Sequence, residues 1–178
     1  FIAKNDKVFS VERGVNDEPL TIEDDILHGE YAIITTEINK SSIQRILEYK
    51  WKKIFLDVGP RPFILKDIQL PQDMIKIGNS LENEIISCDI VKLGSYGAKW
   101  SNIVINGNNI LLPYTIGAGD LFDTILIDNL LKGTYKKEVL KRAVKLAEIS
   151  CTKIGGFKID KIRREIKTVY NKESFKNK

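Results

Sequence analysis

Three short stretches hold the residues whose types and spacing could do chemistry. Residues 114–124 read Y-T-I-G-A-G-D-L-F-D-T. Gly117, Ala118 and Gly119 put almost no side chain between the backbone and a ligand. Asp120 then falls in the first turn of a predicted helix, whose Phe122, Ile125, Leu126, Asn129 and Leu130 recur at steps of three and four. A glycine-rich turn opening a helix presents unpaired N–H groups with the helix dipole behind them, which suits an anion. A carboxylate in such a place suits the handling of a proton. Together they point to phosphoryl transfer, with the turn holding negative charge and Asp120 activating an acceptor hydroxyl.

The other two stretches are complementary. Asn79 and Glu82, three residues apart, offer oxygen ligands suited to a hydrated magnesium ion, which keeps several of its waters and needs few carboxylates. Gly94, Ser95, Tyr96 and Gly97 form a loop that lets a flat or phosphorylated group approach the backbone. Each stretch also has a plain structural reading: an ordinary helix start at 117–120, a helix cap at Asn79 and Glu82, and a strand-to-hairpin turn at 95–97.

The elements that must position these residues are those of an α/β domain. Strands are predicted around 1–4 and 8–12, joined at Asn5-Asp6, and again at 31–35 and 54–58. Between the last two lies a helix with the stripe Ile43, Ile46, Leu47 and Trp51, opened by a Ser41/Gln44 capping box. Strand, helix and strand make a βαβ unit, so the sheet is expected to be largely parallel. Gly59-Pro60-Arg61-Pro62 breaks the pattern at a strand's carboxyl end, where open α/β sheets place ligands.

Further strands are predicted at 74–77 and 89–93, and a hairpin at 103–105 and 110–112 around the Asn106-Gly107 turn signal. The helix that opens at 117–120 stops at Gly133. The next carries Val139, Ala143, Leu146, Ala147 and Ser150 on one face and ends at Gly155-Gly156, and a last helix covers 160–170. The three chemical stretches thus fall at carboxyl ends of successive predicted strands. Asp57 and Arg61 lie near that edge without an assigned role, and Asp123 is expected to be exposed.

Composition narrows the class. The 178 residues are 43% hydrophobic and 29% charged, as in an ordinary globular domain. The net charge of +4 comes from dispersed lysines and a basic C-terminus, read as a solvated helix face, so no nucleic-acid partner is expected. Cys88 and Cys151 lack C-x-x-C spacing and read as reduced, and the single histidine, His28, has no second histidine to share a metal. No run approaches the roughly 18 apolar residues of a membrane span and no signal sequence is present, so no membrane partner and a cytoplasmic location are expected. The chain starts at Phe1, so a beginning inside a longer natural chain is expected.

Taken in order, these motifs resemble the ribokinase-like (PfkB) carbohydrate and nucleoside kinases. The family's D-T-x-G-A-G-D-x-F signature is similar to residues 114–122, its N-x-x-E motif to 79–82, and its T-L-G-x-x-G nucleotide loop to 92–97. Its later A-x-x-x-(C/S)-x-x-x-G helix is similar to 147–155, loosely. The resemblance implies a three-layer α/β/α sandwich with a largely parallel sheet, incomplete at its N-terminal side. It implies residues 1–20 as a remnant of lid strands and 21–178 as the nucleotide-binding core. It further implies ATP and Mg2+, and a sugar, sugar acid or nucleoside as acceptor. Asp120 would be the base and Gly117, Ala118 and Gly119 the anion hole. Asn79 and Glu82 would act on magnesium and phosphate mostly through water. Lys92, Gly94, Ser95 and Gly97 would border the nucleotide, with Val144 near the adenine.

The departures matter as well. Tyr114 and Ile116 replace oxygen-bearing residues that help ligate a monovalent cation in potassium-activated members, so no potassium activation is expected. Lys92 stands where the family's loop has threonine, a change still able to meet a phosphate. The family's N-terminal part, with its G-G-x-x-x-N sugar segment, has no counterpart, which leaves a fragment or a natural short form as alternatives. It also leaves open a non-catalytic nucleotide- or partner-binding role. Relatives often dimerise through the lid, so a homodimer stays open too.

Overall fold

Alternation along the strands decides how this chain layers. The computed structural model describes residues 2–4, 7–10, 17–20 and 29–152, the first two stretches by backbone alone. β1 (Ile2–Lys4) and β2 (Lys7–Ser10) pair antiparallel, as the predicted turn at Asn5-Asp6 requires. The main sheet begins with β3 (Tyr31–Thr35), where Ala32 and Ile34 are buried while Tyr31 and Ile33 face outward. β4 (Lys53–Asp57) buries Ile54, Phe55 and Leu56 in succession. Successive side chains point to opposite faces of a strand. β4 is therefore covered on both sides.

The two coverings are distinct cores. Ile54 and Leu56 join Ala32, Ile34, Val58 and the buried Ile43 of α1 (Lys40–Leu47) on one face. Phe55 joins Ile77, Ile90, Ala98 and Trp100 on the other, against α3 (Ala118–Leu131) and α4 (Lys136–Ser150). Helix, sheet and helix make three layers, as expected. Each fully buried Leu or Ile contributes roughly 1.5–3 kcal/mol, so Leu56 and Leu126, both fully buried, anchor opposite faces of the same sheet.

β5 (Ile75–Asn79), α2 (Ser80–Ile85), β6 (Ile90–Lys92), β7 (Gly97–Trp100) and β8 (Ile103–Asn106) complete the sheet in the order β3-β4-β5-β6-β7-β8. Pairing is parallel from β3 to β6 and antiparallel from β6 to β8. Among the described residues, no helix is long and apolar enough to cross a membrane.

Three sequence expectations need correction. The hairpin joins β7 to β8 through Ser101 and Asn102, with Ser101 at φ 54, and residues 110–112 form no strand. Gly97 and Gly107 explain this. Gly107 donates its N–H to the Tyr96 carbonyl at 2.9 Å, and a Cβ on Gly107 would lie 2.4 Å from the Ser95 oxygen. Asn106-Gly107 thus docks backbone to backbone on the 94–97 loop and turns no hairpin. Second, the α1 cap is Asn39, whose side chain accepts from the Ser42 N–H at 2.9 Å, with Ser41 Oγ donating to the same oxygen at 3.0 Å. Third, Asp123 is buried, as described below. The segment with His28, the glycines at 155–156, the predicted helix 160–170 and the basic C-terminus lie outside the described residues.

Candidate active site

The carboxyl ends of β4, β5 and β6 and the N-terminus of α3 surround a cavity of about 850 Å³, within the range of small-molecule sites. On its α3 side the chain enters the helix through Gly117 in the left-handed conformation, φ 81. Gly117 accepts from Leu121 N–H at 3.0 Å, and Ala118 donates its own N–H to the Thr115 carbonyl at 3.1 Å. The amides of Gly119 and Asp120 keep no acceptor among the described residues, as expected of a helix's first turn. Gly119 and the exposed Asp120 line the cavity together. The free N–H donors of Gly119 and Asp120 are therefore juxtaposed with a carboxylate, while the Ala118 amide, expected in the anion hole, is already engaged.

Asn79 ends β5 and caps α2 through a complete capping box. Its side-chain oxygen accepts from the Glu82 N–H at 2.9 Å, while Glu82 accepts from the Asn79 N–H and side-chain amide, each at 2.7 Å. Burial raises the pKa of Glu82, opposed by the Asn79 N–H and by Lys92. Each Glu82 oxygen thus accepts one bond from Asn79 and keeps a lone pair for a further partner. Among the described residues no group of three or more His, Cys, Asp or Glu side chains is placed to hold a metal directly.

β6 ends in Lys92, whose Nζ lies 2.9 Å from Asp123 Oδ2 and 3.4 Å from Asp57 Oδ1. Asp57 also accepts from the Gly59 N–H at 3.2 Å. Burial alone would lower the Lys92 pKa, but Asp123 and Asp57 raise it overall. Burial pushes the Asp123 carboxyl up to about 7 despite Lys92, with Asp57 and Asp120 adding to the shift. Lys92 lines the cavity as the centre of an ion-pair cluster.

The 94–97 loop makes a single 3-10 turn closed by the Leu93 N–H on the Gly97 carbonyl at 2.8 Å. Gly94 (φ 60) has open space around it, whereas a Cβ on Gly97 (φ 104) would sit 2.0 Å from the Ile105 carbonyl oxygen. Gly97 is thus required by the β7–β8 hairpin, and Gly94 by its own backbone. Ser95 and Val144 both line the cavity, Val144 from α4. Beside them, Glu148 accepts from the backbone and side chain of Asn108 at 2.6 and 2.8 Å, pinning Asn108 to α4.

Sequence reasoning left out Asp57, which lines the cavity, and misjudged Asp123. Arg61 does not point to that role. It is buried, donating from Nε to the Thr36 carbonyl at 2.7 Å, from its other nitrogens to the carbonyls of Glu37 and Ile38, and to Asp17 at 2.9 Å. The signal for Asp123 was Lys92, a lysine ending a buried strand that needs a counter-charge.

No family model matches the sequence, and no curated protein matches it. Among solved structures, a ribokinase from Thermotoga maritima superposes with a TM-score of 0.66 at 20% identity, covering 82% of this chain. The Arabidopsis thaliana ribokinase, in a complex with ribose and ATP, superposes with a TM-score of 0.58 at 20% identity, covering 81% of this chain. This chain spans 59% and 58% of those two proteins' lengths. Its fold is therefore part of the ribokinase-like α/β fold.

Proposed function

We propose, with that fold as premise, that the chain is the nucleotide-binding and phosphoryl-transferring part of a kinase acting on a hydroxyl of a sugar, sugar acid or nucleoside. One observation carries the reading. A single cavity gathers an unengaged helix-start amide pair, a carboxylate at Asp120, the Lys92 ammonium, and lining residues from both the 94–97 loop and α4.

In the reaction, Asp120 accepts the proton of the acceptor hydroxyl as its oxygen bonds to the γ-phosphorus. The bond from that phosphorus to the β–γ bridging oxygen breaks, and ADP leaves. The Gly119 and Asp120 amides, at the positive end of α3, face the charge that develops on the transferred group. Such transfer needs mainly positioning and charge neutralisation. Magnesium, when bound, would supply further neutralisation, with Asn79 and Glu82 meeting its waters. A small-molecule acceptor and a cytoplasmic location belong to the same reading. A second reading, a non-catalytic nucleotide- or partner-binding chain, is favoured by Tyr114 and Ile116, which stand where potassium-activated relatives carry cation-ligating oxygens.

The test is calorimetric titration of ATP with Mg2+ into the 178-residue chain, alongside transfer assays over a panel of sugars and nucleosides. Asp120→Asn should leave nucleotide affinity nearly intact and abolish transfer. Transfer that survives the substitution removes Asp120 as the base. Nucleotide binding without transfer to any acceptor favours the second reading.

A further inference from the structure

We propose that Asp123, together with Asp57, is a positioning residue that holds the Lys92 ammonium against the Gly119 end of the glycine turn, where it grips a nucleotide phosphate. The proposal rests on the kinase reading. Gly119 and Asp123 are four residues apart on α3 and share one helix face. A cation drawn to Asp123 therefore stands beside Gly119, and a Cβ built on Gly119 would indeed lie 3.8 Å from Lys92 Nζ. An ammonium does not settle unaided at the positive end of a helix. Above about pH 7, where Asp123 is ionised, the carboxylates at 2.9 and 3.4 Å hold it there. They occupy two of its three donors, leaving one for a ligand in the cavity that Lys92 and Gly119 both line.

A second observation sets Asp123 apart from an ordinary helix residue. Its side chain is 10% exposed, and its Oδ1 is buried with no hydrogen-bond partner. Leaving a buried carboxylate oxygen unpaired is costly, and a buried ion pair is a weak source of stability. Holding Lys92 in place accounts for that cost.

The test compares ATP and adenosine, each titrated with excess Mg2+ into the full chain. Removing a negative charge near a polyphosphate would by Coulomb's law raise ATP affinity, whereas loss of positioning lowers it. The proposal expects Asp123→Asn to weaken ATP several-fold and leave adenosine unchanged, with Lys92→Met weakening ATP by about tenfold or more. Unchanged or tighter ATP binding by Asp123→Asn overturns it. Should either single variant melt early, Lys92→Met combined with Asp123→Asn leaves no orphaned buried charge at this pair. That double variant must then bind ATP about tenfold or more weaker with adenosine unchanged, and an unchanged ATP affinity overturns the proposal. A wild-type chain that binds no ATP sinks the kinase reading itself, whereas wild-type binding with unaffected variants sinks only the role of Lys92 and Asp123.

Discussion

Arg61 and Thr36 hold each other from both ends. Arg61 donates from its backbone N–H to Thr36 Oγ1 at 3.1 Å and from Nε to the Thr36 carbonyl at 2.7 Å, while Thr36 Oγ1 donates to the Val58 carbonyl at 2.7 Å. Both residues are buried, so these bonds lock the turns after β3 and β4 into one piece at the cavity's rim. Arg61→Ala strands at least three carbonyls and should cost about 2–3 kcal/mol. At this size that is a fall on the order of 5–10 °C in Tm. A thermal melt within 2 °C or so of wild type would contradict the clamp.

Gly94 and Gly97 should respond differently to alanine. At Gly94 only the left-handed backbone is penalised, by about 1–2 kcal/mol. At Gly97 the added carbon would overlap the Ile105 carbonyl, so β7 and β8 must part. Gly97→Ala should lose several kcal/mol or fail to fold, as read by urea denaturation. Equal losses at the two positions would refute the packing argument.

Asp123 makes stability depend on pH. Its carboxyl titrates at about 7 in the folded chain against an ordinary 3.8. Between those values the folded chain holds a proton that the unfolded chain has released. The contribution is complete below about pH 4 and is lost as pH rises through 7. Glu82 shifts in the same direction, so the comparison is wild type against Asp123→Asn. Wild type should lose more stability than the variant between pH 4.5 and 7.5, and parallel urea midpoints would count against it.

Much of this architecture could be read from periodicity. Ile54 to Val58 and Ile90 to Leu93 are short apolar runs ended by a polar residue or glycine, and both mark buried strands whose carboxyl ends build the cavity. Apart from the α1 cap, where Asn39 takes the place of Ser41 through a local bond to Ser42, the failures came from residues whose partners are distant in sequence. Asn106-Gly107 carries a local hairpin signal, but its contacts are with Ser95 and Tyr96, which no local rule sees. Asp123 fell outside the stripe drawn through Phe122, Ile125 and Leu126, yet Ile127 one turn later is buried too, so the buried arc of α3 is wider than one stripe. Its partner Lys92 lies 31 residues away.

Glu82 tests whether the capping box is only structural. Glu82→Gln preserves an acceptor for the Asn79 N–H, since glutamine also serves a capping box. Stability should fall by about 1 kcal/mol, because the new amide nitrogen faces the Asn79 side-chain amide in place of an accepting oxygen. Affinity for ATP with Mg2+ should also fall, because the charge that meets the ion's waters is gone. Unchanged affinity would leave Glu82 a cap alone.

Potassium should have no effect on transfer. Ile116 offers no side-chain oxygen and Tyr114 no carboxylate. Assays in potassium and in a tetramethylammonium salt of equal ionic strength should agree. A large stimulation by potassium would show that a cation site is built from other atoms.

The mix of side chains around the cavity has a kinetic consequence. Among the described residues, Glu37, Asp57, Glu82, Asp120 and Glu148 line it, against Lys92 and Lys145. In a chain of net charge +4, the described lining thus carries more carboxylates than ammonium groups. Free ATP is slowed on approach, while its magnesium complex, carrying less charge, is slowed less. Added salt screens the repulsion within about a Debye length, so it should speed nucleotide capture here, opposite to its effect at a basic phosphate site.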